Sequence, residues 1–457
     1  MGRIAEGLVF PKSIWGRFKL MAELNADMLG FFGRIIQRYG KVTTLTTPLF
    51  NYYVIADPDF AHEVLVTQAD KFHKDQLYKD EQVGLARVMG NGLLVSDGEF
   101  WKRQRKLVAP ALHTKRIEAY AETMVDYTDR MLAHWRDGQR LAVDHEMMTL
   151  TLKIVAKSLF NTDVSAAADR VGAATDVIQE AMKPNDVLPA WIPTRSRLRL
   201  RRALADLDEV VYGMIADWRK TGEDRGDLLS MLLLAEDDEG QHMTDKQVRD
   251  EAVTLLLAGH ETTANTLNWT FKLLAENPEV EAKLHAELDT MLAGRLPTLA
   301  DLRRLPYTDM VVKESMRLMP PAYSFGREAQ ADVEIGEYSI PKGTQVVIFN
   351  YFMQRDPELW EQAERFMPER FSADNEKNLP RYAYLPFGGG PRICVGNSFA
   401  AMEARLLLAT IAQRYQLRLT PGQRVEAEPL ITLRPKGHLM MRVEQREPVP
   451  VMQPELA

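Results

Sequence analysis

The run Phe387-Gly388-Gly389-Gly390-Pro391-Arg392-Ile393-Cys394-Val395-Gly396 contains the only cysteine of the chain. Three glycines followed by a proline disfavour helix and regular strand. They predict a tight loop whose backbone can approach another group closely. A helical run follows from about Asn397 to Tyr415, so Cys394 sits just before a helix N-terminus, where the dipole and free N–H groups favour thiolate. A thiolate in such a loop is a catalytic nucleophile or a metal ligand. The plain alternative is a buried, inert cysteine.

Working outward, the 457 residues are 46% hydrophobic and 26% charged, which is ordinary globular chemistry. Lys and Arg number 57 against 64 Asp and Glu, a net charge of −7, and this acidity argues against nucleic acid as a partner. A lone cysteine makes no internal disulfide and cannot build a four-cysteine zinc or iron–sulfur site, so redox chemistry here needs another cofactor. Lys12, Arg17, Lys19, Glu23, Asp27 and Arg34 interrupt the apolar residues of the first segment. No apolar span of about 18 residues occurs anywhere, so we expect no targeting segment, no transmembrane anchor and a cytoplasmic location.

Amphipathic helix dominates the middle of the chain. Met148, Leu152, Val155 and Leu159 recur at helical spacing, as do Leu204, Leu207, Val211, Met214 and Trp218. Pro184, Pro189 and Pro193 mark a loop, and the arginines from Arg195 to Arg202 read as a solvated helix face. An acidic loop from Glu236 to Gly240 precedes Thr244-Asp245-Lys246-Gln247, which has capping-box spacing. The helix it opens runs to about Glu276, before Asn277-Pro278, and at ~50 Å can cross a whole globule. Strand signals concentrate late: Val333 to Tyr338 and Gln345 to Asn350 read as two strands around Pro341-Lys342-Gly343, with further short strands after Tyr415. The fold class expected is mainly α with a small β region, not a Rossmann fold.

The middle of the long helix reads Ala258-Gly259-His260-Glu261-Thr262-Thr263. Ala258 and Gly259 remove bulk from one face. Glu261 and Thr262 place an acid and an alcohol in an apolar stretch, as a proton relay beside a small pocket or as a back-bonded bend. His260 has no second histidine one turn on, which argues against a metal role. Glu314 and Arg317 share one face of another predicted helix, and alone they would be a surface ion pair of little value.

Phe387, Gly390, Arg392, Cys394 and Gly396 fill all five fixed positions of Phe-x-x-Gly-x-Arg-x-Cys-x-Gly, so the loop resembles the haem-binding loop of the cytochrome P450 family. A chance match is roughly one in 10⁴ for a chain of this length at average residue frequencies. Ala258 to Thr262 match the family's Ala/Gly-Gly-x-Asp/Glu-Thr motif, which implies Thr262 and Glu261 as the catalytic pair that handles protons. Glu314, Arg317 and Arg370 stand in the family's order, which implies a buried network. Trp101 and Arg105, four residues apart, and Arg327 and Arg392 match positions that hold the haem propionates.

The resemblance reaches from Trp101 to the end of the chain. It implies the cytochrome P450 fold and residues 1–457 as one catalytic unit, since only about 60 residues follow Cys394, too few for a fused reductase. The cofactor implied is haem b (heme b, iron protoporphyrin IX), bound through Cys394, with Ala258, Phe387 and Gly396 beside it. The activity implied is insertion of one atom of O2 into a C–H bond of a hydrophobic small molecule such as a fatty acid, terpenoid or steroid. The Ala-Gly-His-Glu-Thr-Thr form also occurs in fatty-acid hydroxylases of the family and favours that class. Electrons would come from a ferredoxin- or flavodoxin-type donor, for which Lys102, Arg103, Lys106, Lys115 and Arg116 offer a basic docking face. The pocket implied lies among Gln76 to Val95, the helices flanking Pro184 to Pro193, Ala258, Pro321 to Phe325 and Ile431 to Leu433. The competing readings are a cysteine hydrolase or transferase and a haem-binding sensor without turnover.

Overall fold

A computed structural model describes the chain except residues 1, 12, 48–50, 83, 113–116, 163–167, 182–191, 237–239 and 448–457. The Pro184–Pro189 loop, most of the acidic loop, and Lys115 with Arg116 lie outside the described residues.

Thr244 opens the longest helix. Its hydroxyl accepts from the Gln247 N–H while the Gln247 side chain accepts from the Thr244 N–H, and the helix Asp245–Glu276 then runs as far as Asn277-Pro278. Most of its length is buried on all sides, which is why its sequence is apolar beyond a single stripe. The helices Val143–Phe160, Arg195–Thr221, Pro306–Leu318 and Asn397–Ala412 pack around it. Gly259 lets the first of these approach: a Cβ there would lie 3.2 Å from Val155 Cγ2. Ile154, Val155, Leu159, Leu207, Leu267 and Leu407 belong to one continuous core. The expected helical stripes thus face that core, and Arg195, Arg199, Arg201 and Arg202 are exposed.

The β region is larger and earlier than the sequence signals suggest. A six-stranded sheet has the order Gly7–Val9, Val42–Thr46, Asn51–Ile55, Gln345–Ile348, Phe325–Ala329, Phe72–His73. Its first three strands come from the N-terminal segment, in runs of three to five residues. The expected late hairpin is also corrected. Val333–Ile335 pairs with Tyr338–Ile340 around Gly336, whose φ is +57°, whereas Gln345–Ile348 pairs with Phe325–Ala329 and Asn51–Ile55. Pro341-Lys342-Gly343 does turn, with Gly343 at φ +81° and the Thr344 N–H donating to the Pro341 carbonyl at 3.1 Å, but the strands it joins pair with different partners. The helix after the cysteine loop ends at Ala412, and Tyr415–Leu419 is a strand paired with Met440–Gln445.

Buried contacts hold the cysteine-loop side together. Glu314 and Arg317 are fully buried and paired, and Arg370 Nε donates to Glu314 Oε1 at 3.4 Å. Arg317 also donates to the carbonyls of Gln354 and Ala363 at 2.6 and 2.8 Å. The pair is therefore not a surface ion pair. Among the described residues no helix is long and apolar enough to cross a membrane.

Candidate active site

The cysteine loop and the centre of the long helix face each other across a cavity of about 1880 Å³, part of it open to solvent. Glycine makes the loop's path achievable. Gly388 and Gly390 have φ of +70° and +67°, and a Cβ on Gly390 would lie 1.8 Å from the Leu65 carbonyl oxygen. The Cys394 N–H donates to the Phe387 carbonyl at 3.0 Å, closing the loop, and the sulfur is accessible from the cavity. Protein encloses the thiol otherwise, and burial pushes its pKa up, opposed by the Gly396 N–H and by Arg105. The N–H at the helix start thus favours thiolate, as the sequence implies, and burial works against it. Metal coordination would decide for thiolate, since a coordinating thiol is deprotonated outright.

A cluster of cations stands at one side of the cavity. On the helix Gly98–Val108, Arg105 lies 5.7 Å from the Trp101 ring, and Arg392 lies over the same indole at 4.3 Å. Arg392 also pairs with Asp97 and donates to the Ser96 carbonyl at 2.8 Å. Arg327 is buried on the strand Phe325–Ala329, and its guanidinium donates to the carbonyl of its neighbour Gly326 at 2.8 Å. Lys74, which no sequence pattern marked, is buried 3.9 Å from the Tyr78 ring. Its pKa is well below the usual lysine range, first through burial and then through Arg327 and Arg392. Asp75, pushed up to about 6 by burial, faces Lys74 and Arg327 and offsets part of their charge near neutral pH. Four cations share the lining, and the ion pair recorded there joins Arg392 to Asp97.

Across the cavity, Ala258 and Thr262 line the wall. The Thr262 hydroxyl donates to the Ala258 carbonyl at 2.8 Å, so the back-bond is present within an unbroken helix, with the side chain half-buried at the cavity. Glu261 is buried, and burial pushes its pKa up to about 7, where it can both hold and release a proton near neutral pH. His260 is fully buried and kept neutral, pushed down to about 4 by burial, with Nδ1 2.6 Å from the Leu256 carbonyl. The remaining wall is mostly apolar, including Leu85, Val88, Leu93, Ile178, Leu257 and Ile431, with uncharged polar groups such as Thr175, Gln179, Thr254, Ser324 and Thr432. Trp101, Arg105, Ala258, Glu261, Thr262, Arg327, Phe387, Arg392 and Cys394 all line this one cavity. Gly396 lies beside Cys394 without lining it, and a Cβ there would sit 4.0 Å from the sulfur. The sequence reading missed Lys74 and Gln179. It also missed the fully buried Glu403, whose pKa burial pushes up to about 8, opposed by the hydroxyl of Thr263.

The Cytochrome P450 family profile matches residues 9–441. The chain belongs to the cytochrome P450 family. Cyclooctatin synthase of Streptomyces melanosporofaciens is 41% identical over 79% of this P450 and 80% of its own length. Cyclooctat-9-en-7-ol 5-monooxygenase of the same organism is 38% identical over 81% of each chain. Pentalenene oxygenase of Streptomyces avermitilis is 34% identical over 90% of this P450 and 92% of its own chain. In three dimensions the P450 is similar to the crystal structure of a cytochrome P450DA mutant heme domain. The TM-score is 0.86 at 26% identity, covering 97% of this chain and 99% of the other. The protein is thus a haem b-containing monooxygenase that hydroxylates hydrophobic small molecules with O2 and electrons from a redox partner.

The residues around the cavity fit that cofactor. Among the described residues no three His, Cys, Asp or Glu side chains gather as a metal site, so iron held through Cys394 must bring its other ligands with it, as a macrocycle does. Among the described residues, the carboxylates that act on the buried Arg327 are Asp75 and Asp97, of which Asp97 is already paired with Arg392. The cluster of Arg327, Arg392, Arg105 and Lys74 thus holds more cations than carboxylates, which suits a guest with two carboxylates.

Proposed function

We propose that this P450 hydroxylates a terpenoid, with Cys394 as the thiolate that would ligate the iron of haem b. Trp101, Arg105, Arg327 and Arg392, joined by Lys74, hold the propionates. Ala258, Phe387 and Gly396 border the macrocycle. Bound haem supplies the iron that activates O2 for insertion into a C–H bond. Thr262 offers a hydroxyl at the cavity wall, and Glu261 stores the proton behind it. The chain acts as one catalytic unit in the cytoplasm and takes electrons from a ferredoxin- or flavodoxin-type donor.

The observation that carries the substrate class is the charge map of the cavity. Every Lys and Arg in its described lining belongs to the one cluster, in which Lys74, Arg327, Arg392 and Arg105 interact in turn and Arg105 acts on Cys394. The rest of the described lining offers no cation to a fatty-acid carboxylate, so the lean of the helix motif toward fatty acids gives way. The names of the relatives from Streptomyces, terpene oxygenases, support the same choice. The hydrolase reading loses its base, since no histidine is among the described lining residues.

The test combines two spectra. Dithionite-reduced protein with carbon monoxide should show a strongly red-shifted Soret band that Cys394→Ser lacks. A panel of terpenoid hydrocarbons and alcohols should then shift the ferric Soret band, and long-chain fatty acids should not. Tighter shifts with fatty acids would overturn the substrate class, and a red-shifted band in Cys394→Ser would overturn the ligand.

A further inference from the structure

Three elements converge on one oxygen atom. Gln179 Nε2, from the helix Ala168–Ala181, and Thr432 Oγ1, from the segment before Leu433–Pro435, both donate to Glu261 Oε1, the hydroxyl at 2.5 Å. Both donors are buried, Gln179 with no exposed surface. Each is fixed in turn. Gln179 Oε1 accepts from the Ile431 N–H at 3.0 Å, and Thr432 Oγ1 accepts from Asn265 Nδ2 at 3.0 Å. The Thr262 hydroxyl, meanwhile, is engaged with the Ala258 carbonyl. We propose that Gln179 and Thr432 are positioning residues that hold the Glu261 carboxyl in one orientation at the cavity wall and stabilise its charged form.

The physical reason is that two donors on one carboxylate oxygen favour the ionised state, against burial, which favours the neutral one. Burial is the larger influence on Glu261, and the bonds from Thr432 and Gln179 oppose it. The charged groups that face Glu261 from the packed elements are Arg434, which also lowers its pKa, and Asp176, which raises it. Those two pair with each other at 3.0 Å, and Arg434 pairs with Glu428 at 3.2 Å, so their influences partly cancel. The two neutral donors are therefore the groups left to set the carboxyl against burial. Because Gln179 shares its helix with Thr175 and Ile178, which also line the cavity, a substrate that presses on that helix acts on the Glu261 clamp. This assignment rests on the reading of Glu261 as the proton-handling acid.

The experiment uses the haem-loaded full chain as Thr432→Val, which removes the hydroxyl at nearly constant volume, Thr432→Ser, which keeps it, and Gln179→Met. Infrared difference spectra on photolysis of bound carbon monoxide, recorded against pH, follow the protonated carboxyl band, assigned by its loss in Glu261→Gln. The midpoint should rise by about one pH unit in Thr432→Val and Gln179→Met and return in Thr432→Ser. A surrogate ferredoxin with its reductase then drives oxygen uptake without substrate, and the pH profile of uptake should move with the band. An unmoved midpoint in Thr432→Val, with the red-shifted Soret band intact, overturns the proposal; that variant decides alone if Gln179→Met loses haem. A moved midpoint with an unmoved uptake profile upholds the positioning and instead removes the proton role of Glu261.

Discussion

Arg317 donates from Nε to one oxygen of Glu314 at 2.6 Å and from a terminal nitrogen to the other at 2.8 Å, both side chains fully buried. Such a pair costs much when half of it is removed, because the survivor stays charged and unpaired. Glu314→Gln or Arg317→Met should each lower stability by about 3–5 kcal/mol. The double variant should fall well short of the sum of the two. Urea midpoints followed at the haem band would show this, and additive losses would mean that the pair is not coupled.

Arg327 is buried beside Lys74, and its guanidinium donates to the Gly326 carbonyl, with Asp75 and Asp97 facing it. If it is a propionate partner, Arg327→Leu should release haem to an apo-globin trap about tenfold faster or more, with the cation's counter-charge lost. An unchanged release rate would assign the guanidinium to packing.

Thr262→Ala removes the hydroxyl at the cavity wall and the bond to Ala258. The variant should keep haem and the red-shifted Soret band yet divert most reducing equivalents to hydrogen peroxide. Tight coupling of reductant use to product in that variant would dismiss the hydroxyl from proton handling.

Glu403 is neutral in the folded state up to about pH 8, whereas its ordinary carboxyl value is 4.5. Between those values the folded chain binds a proton that the unfolded chain has lost, so this group makes stability fall as pH rises through that window. The slope is about 1.4 kcal/mol per pH unit at most. Glu403→Gln should flatten the loss of stability between about pH 5 and pH 8 relative to the parent. Denaturation series at several pH values would reveal it, and parallel curves for the two proteins would refute it.

Lys102 is exposed and pairs with Glu99 at 2.7 Å, so part of the basic face is already compensated. Reversing both Lys102 and Arg103 to Glu should still slow the first electron from an acidic ferredoxin by about tenfold at low salt, with the deficit shrinking as salt rises. A stopped-flow reduction rate equal to that of the parent would place docking elsewhere.

The site was largely legible because its signals are local. Cys394 and its glycines form one short run, and Ala258 to Thr262 occupy about one turn of a helix whose capping box is written in its first residues. What escaped was non-local. Lys74 follows a two-residue strand and acquires its place only when Phe72–His73 pairs with Phe325–Ala329. Gln179 is one polar residue on an ordinary amphipathic helix until the chain brings Glu261 and Ile431 to it. The late strands were found, but their pairing was misassigned, because Pro341-Lys342-Gly343 is as good a turn signal as Gly336, and only packing separates the two.

The parallel pairing of Tyr52 with Gln345 has a consequence for biosynthesis. The ribosome delivers Asn51–Ile55 long before Gln345–Ile348, so during much of translation this strand waits with one open edge of Tyr and aliphatic side chains. The nascent chain therefore needs shielding of that edge, by a chaperone or by its own early helices. A stall between the two segments would favour aggregation over any native-like fragment.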